Sequence, residues 1–142
     1  MMYNVFNLGS LYKYHCSFEE LKGHTVVGAY CDTSDDGYIQ IKTLTHLFHI
    51  WHDQDCCEDV HIESIVGDLK SMVGQVIQVA DEVVKDNHNE DLDIWIYDDS
   101  ATWTFYKLAT VKGWVDIRWV GSSNGYYSES VDVVKIPLED LK

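Results

Sequence analysis

Two segments of alternating apolar residues, 102–111 and 114–120, flank Lys112-Gly113 and constrain the fold more than any other feature of the chain. A period of two puts successive side chains on opposite faces of a strand. Two such segments about a Gly-containing turn read as a tight antiparallel hairpin. With Lys112-Gly113 as the turn, Val111 faces Trp114 and pairing proceeds outward; Thr110 faces Val115, Leu108 faces Ile117 and Tyr106 faces Trp119, and these three pairs make a core face. The opposite face then sets Lys107 directly against Arg118, with Asp116 close by and Trp103, Phe105 and Trp114 on the same side. Like charges in direct opposition need a neutralising group. Either Asp116 and a second carboxylate supply it, or the face holds a nucleotide, with Lys107 and Arg118 on phosphate and Trp103 or Trp114 against the base.

The rest of the chain repeats the pattern in shorter pieces. Ser17-Phe18-Glu19-Glu20 has capping-box spacing and Gly23 follows as a stop, so 17–22 reads as a short helix. A strand runs from His24 to Cys31, Asp36-Gly37 turns the chain, and a return strand runs from Tyr38 to about Trp51. Val60 to Ile65 is a further strand, and Asp68 caps a brief helix ending near Gly74. Gln75 to Val84 fits either a strand or a helix. Asn124-Gly125 turns into a last strand, Tyr126 to about Ile136, which Pro137 ends. The expected fold class is α+β: a mainly antiparallel sheet of about six strands with one to three short helices, in a single domain spanning 1–142.

Charge narrows the function classes. The chain holds 24 Asp and Glu against 10 Lys and Arg, a formal charge of −14, which repels nucleic acid and anionic membranes and suits a basic partner. Eight of the acids lie in residues 81–99 with Lys85 as the lone cation, and Glu90, Asp91 and Asp93 beside Trp95 make an acidic surface with an embedded aromatic. The N-terminus has no basic region followed by an apolar run, and no segment is long and apolar enough for a bilayer, so a cytoplasmic protein with reduced cysteines is expected.

One stretch is dense in reactive groups. His52-Asp53-Gln54-Asp55-Cys56-Cys57-Glu58, with His61 beyond it, offers an imidazole, three carboxylates and two thiols. His52, Asp55, Cys56, Cys57, Glu58 and His61 are candidate metal ligands, yet adjacent cysteines are not the paired spacing of a zinc site and no second pair follows. A Cys/His nucleophile is the other possibility, opposed by a negative field that raises thiol pKa values. Adjacent cysteines are also poorly placed to bond each other. A shaped strand exit, with Asp and Glu on backbone amides, is the simpler reading. Asp32-Thr33-Ser34-Asp35-Asp36-Gly37 resembles the start of a calcium loop, but Thr43 stands where the bidentate Glu belongs, and a hairpin loop fits better.

The 52–58 segment followed by Ile62-Glu63-Ser64-Ile65-Val66-Gly67-Asp68-Leu69 resembles the opening signature of a family of unknown function common in tailed bacteriophages and prophages. Thr102 to Leu108 and Arg118 to Glu129 are similar to that family as well, and the resemblance runs from about Leu21 to Val134. It implies a small phage accessory protein and no assigned catalytic residue. Small acidic proteins of that kind often counter host defences, which is an associational step. Three expectations follow. The first is a non-catalytic protein that binds a host defence protein through the acidic 81–99 region, with no direct nucleic-acid or membrane contact. The second is a sponge for a nucleotide immune signal at the Lys107/Arg118 face, with the ligand held at a subunit interface if the chain self-associates. The third is a metal-binding protein or enzyme at residues 52–61; the first two need no cofactor.

Overall fold

The computed structural model describes residues 3–86 and 100–141. Eight strands form two antiparallel four-stranded sheets. The strands are β1 (Val26–Asp32), β2 (Tyr38–Thr43), β3 (His46–Trp51), β4 (Asp59–Val66), β5 (Val79–Asp86), β6 (Ser100–Thr110), β7 (Gly113–Ser123) and β8 (Asp132–Pro137). The first sheet runs β1-β2-β3-β8 and the second β4-β7-β6-β5. Thus β8 returns across the chain to close the first sheet beside β3.

The expectation of a mainly antiparallel architecture holds, but the strand count and the helices do not. The single long strand expected from Tyr38 to Trp51 is two strands. Thr43 causes the break: its Oγ1 accepts from the amides of Thr45 and His46, which closes a turn inside an otherwise continuous strand-forming run. Among the described residues the helical segments are all single 3-10 turns, at Val5–Leu8, Tyr12–Tyr14, Phe18–Leu21, Leu69–Met72 and Leu138–Asp140. The capping box at Ser17 forms as read, with its side chain on the Glu19 amide and Glu20 reaching back to the Ser17 amide. It starts one turn only, because Gly23 follows with a positive φ of 91°. Asp68 likewise caps the Leu69–Met72 turn. The ambiguous 75–84 segment enters β5 at Val79. The last strand starts at Asp132 rather than Tyr126, because hydrogen bonds from Gly125 to Ser123 Oγ and from Tyr126 to Asn124 Oδ1 fold the chain into a loop first.

The 102–120 hairpin is real, but its register is not the expected one. Thr110 pairs with Gly113, so Val111-Lys112 is the turn, and Thr110 Oγ1 accepts from the Lys112 amide. Every partner moves by two residues: Tyr106 faces Ile117, Leu108 faces Val115, and Trp119 faces Thr104. A shift of two preserves the faces, whereas a shift of one would have reversed them. Tyr106, Leu108, Val115, Ile117 and Trp119 therefore still point into the core.

That core lies between the sheets. Ala29, Ile39, Ile41, Phe48, Ile50 and Val133 from the first sheet meet Val60, Ala80 and the inner face of the hairpin from the second. Phe18, from the Phe18–Leu21 turn, stacks on Tyr106 with ring centroids 4.0 Å apart. The first sheet is also covered on its other face. Leu47, Trp51, Val134 and Ile136 pack there with Val5 and Leu11 of the N-terminal segment. This double burial explains why β3 is buried along nearly its whole length rather than alternating. Gln40 lies under the same cover, its amide paired with both the amide and the carbonyl of Tyr3. Asp32 to Gly37 is the hairpin loop between β1 and β2, with Asp32 accepting from the Ser34 amide. No helix among the described residues is long and apolar enough to cross a membrane.

Candidate functional site

The second sheet turns its outward face to solvent, and cross-strand pairing determines what that face carries. One row reads Asp81, Lys107, Asp116 and Val66 across β5, β6, β7 and β4. The next reads Val83, Phe105, Arg118 and Ser64. These eight residues line a surface cavity of about 500 Å³. The two cations singled out in the sequence do share one site, but they do not oppose each other. Lys107 pairs with Asp116 and Arg118 with Phe105, because of the two-residue register shift. Two-cation repulsion is therefore absent.

Each cation has its own surroundings. Arg118 Nε donates to Glu63 Oε2 at 2.5 Å, and this bond holds the Glu63 carboxyl below the usual carboxylate range. Its guanidinium lies 5.4 Å from the centroid of the Trp103 ring. Lys107 turns over Trp114, with Nζ 5.0 Å from the ring centroid. Trp114 is 63% exposed, whereas Trp103 is buried and offers its face to Arg118 rather than to solvent. Although Asp81 and Asp116 flank Lys107 in the ladder, neither carboxylate forms an ion pair with a described cation. Asp81 and Glu63 were missed in the sequence. Asp81 could have been found from the pairing of β5 with β6, but no local pattern marks that register. Glu63 reaches Arg118 because of an irregularity between Ile62 and Ser64 in β4. The expected acidic contact residues Glu90, Asp91, Asp93 and Trp95 lie outside the described residues.

Within the 52–61 cluster, His52 and Glu58 form a buried clasp. His52 Nε2 lies 2.8 Å from Glu58 Oε2, and His52 Nδ1 lies 2.7 Å from the Ser130 carbonyl oxygen. Both ring nitrogens thus lie within hydrogen-bond distance of an oxygen. Glu58 also accepts from the amides of Asp55 and Cys56 and from Gln54 Nε2. Burial alone would push its carboxyl up. The two backbone amides and His52 more than reverse that and hold it at about 2. Together these bonds tie the exit of β3 to the start of β4 and to the 128–131 loop.

The thiols depart from expectation. Cys56 and Cys57 are exposed and joined to each other as a disulfide, not free. The turn pinned by Glu58 presents both sulfurs on one side, which the sequence distance alone did not suggest. His61 stands apart, 3.0 Å from Asp59. Among the described residues no three His, Cys, Asp or Glu side chains converge as a metal site would require. Cys16 and Cys31 are free and half-buried, and burial pushes the Cys16 thiol up to about 11.

A family model described as a domain of unknown function, DUF7448, matches residues 19–133. The chain belongs to that family. The DUF7448 match takes in all of β1 to β7 and the start of β8, and so contains both the outward face of the second sheet and the clasp. The N-terminal segment that covers the first sheet precedes it. No curated protein and no solved structure matches the chain.

Proposed function

We propose that this protein is a non-catalytic binding protein that counters a bacterial defence system by docking on a basic surface of a host component. The contact is made by the outward face of the β4-β7-β6-β5 sheet. One observation carries this reading. Asp81 and Asp116 stand unpaired with any described cation at a cavity of about 500 Å³, beside Phe105, Val83 and Val66. Val66, Val83 and Trp114 are exposed there at 62%, 50% and 63%, more apolar surface than a sheet face needs for packing. Carboxylates set among exposed apolar groups suit Lys or Arg side chains of a partner, and the net charge of −14 steers such a partner inward. Residues 87–99, acidic in sequence, lie between β5 and β6 along the chain. The phage setting rests on the resemblance of the 52–69, 102–108 and 118–129 segments.

Sedimentation with a basic defence effector tests the proposal. Binding is expected to weaken as salt rises, and to be lost in Asp81→Lys/Asp116→Lys and in charge reversal at Glu90, Asp91 and Asp93. Glu139→Lys, in the Leu138–Asp140 turn after β8, serves as the control. Binding indifferent to both salt and reversal would refute the mode.

A second reading keeps the nucleotide sponge, supported by two cations lying over two indole rings on one face. Arg118 is already engaged by Glu63, which weighs against it. Calorimetry with cyclic nucleotides and ADP-ribose derivatives discriminates: no heat with any of them well above micromolar retires the sponge.

A further inference from the structure

On the outer side of the first sheet, away from the face discussed above, a second cavity of about 240 Å³ is walled by aromatic rings. Phe6, Tyr12 and His15 come from the N-terminal segment, and Trp51 from the end of β3. We propose that this cavity is an aromatic cage for a quaternary ammonium group.

The rings stand at angles rather than in a stack. Phe6 and Trp51 are 77° apart with centroids at 6.1 Å, His15 and Trp51 are 58° apart at 6.4 Å, and Tyr12 and His15 are 52° apart at 5.7 Å. The four rings share one cavity lining, and a ring face is the negative pole of its quadrupole. Asp53 completes the lining, and its carboxylate forms no ion pair with a described cation. Its position is fixed through its backbone, whose amide donates to Asp132 Oδ2 at 2.9 Å. Trp51 is anchored in the apolar cluster under the N-terminal segment, while Phe6 and Tyr12 are 59% and 81% exposed. Phe6 packs edge-on against His49 and Trp51, but packing gives little reason for the aromatic character of Tyr12. A methylated ammonium matches the site on each count: it is cationic, apolar on its outside and unable to donate a hydrogen bond that the rings could not accept. Phe6, Tyr12 and His15 precede the family match while Trp51 and Asp53 lie within it, so the cage is built jointly by the N-terminal segment and the matched domain.

Calorimetry on the full chain tests this with choline, trimethyl-lysine, ethanolamine and 3,3-dimethylbutan-1-ol, the uncharged isostere of choline. The trimethylammonium compounds are expected to bind about tenfold or more tighter than the isostere, from the cation–ring attraction alone. Comparable binding of choline and trimethyl-lysine marks a site for the head group itself, and a preference for trimethyl-lysine marks a modified side chain as the source. Tyr12→Ala is expected to abolish binding with an unchanged circular dichroism spectrum, since Tyr12 is exposed, and Tyr12→Phe to retain it. Equal affinity for the isostere, full binding by Tyr12→Ala, or no heat with either trimethylammonium compound at millimolar concentration would overturn the proposal.

Discussion

His49 offers the sharpest quantitative test of the structure. Its ring is buried between β3 and the N-terminal segment, in contact with the rings of Phe6, Tyr38 and Trp51. The Gln40 amide nitrogen lies 3.1 Å from His49 Nδ1 and also donates to the Tyr3 carbonyl, while Gln40 Oε1 accepts from the Tyr3 amide. Gln40 therefore points an N–H at His49, and Nδ1 must accept. The ring's own proton sits on Nε2, which is buried without a partner among the described groups. Burial opposes the charge of a second proton, which would also turn Nδ1 into a donor facing a donor. The ring's pKa is accordingly held at about 4, against 6.5 for a free side chain. Between those values the unfolded chain binds a proton that the folded chain does not. Stability is thus complete above pH 6.5 and declines as pH falls toward 4. At 1.36 kcal/mol per unit, the loss between pH 7.5 and 4.5 comes to about 2.5 kcal/mol. His49→Asn keeps an acceptor near the Nδ1 position and cannot take up a proton. Loss of the ring contacts should lower its stability by a pH-independent amount, while the pH-dependent part vanishes. Urea unfolding of both proteins across this range isolates the effect, because every other titrating group is common to the two. Parallel stability curves, or a His49 ring that titrates near 6.5 by NMR, would refute the reasoning.

Two further outcomes follow from the clasp and from the loop before β8. Glu58→Gln is expected to lower the melting temperature at neutral pH. The deficit should shrink as pH falls from 4.5 toward 2, where the wild-type carboxylate itself protonates and loses the same interactions. A deficit constant across that range in thermal scans would count against the clasp. Gly121→Ala places a Cβ 2.6 Å from the Glu129 carbonyl oxygen, a backbone atom that cannot swing aside. The substitution is expected to cost roughly 1–3 kcal/mol in chemical unfolding, and a variant as stable as wild type would show that the 124–131 loop does not press on β7.

Much of the fold is legible in local pattern. The core face of the hairpin survives a mistaken register because faces depend only on whether a shift is odd or even, and alternation records that parity directly. The capping signals at Ser17 and Asp68 are equally local, and both form. The split at Thr43 was missed because the flanking residues favour strand on either side, and only a side-chain hydroxyl taking two amides stops the ladder. The candidate site was half legible. Lys107, Arg118 and Trp114 were visible as chemistry, but Glu63, which pairs with Arg118, and Asp81, which stands beside Lys107, were not, since both are set by pairing between distant strands.

By itself, the sequence determined the antiparallel character, the strongly negative field and which side of each strand is apolar, because these follow from composition and from a period of two. Tertiary structure decided the rest. It chose the register that separates Lys107 from Arg118, buried His52 and Glu58 as a clasp, and laid the N-terminal aromatics over Trp51. Each of these depends on which segments meet across long stretches of chain, and that is settled by the joint packing of two sheets rather than by any local preference.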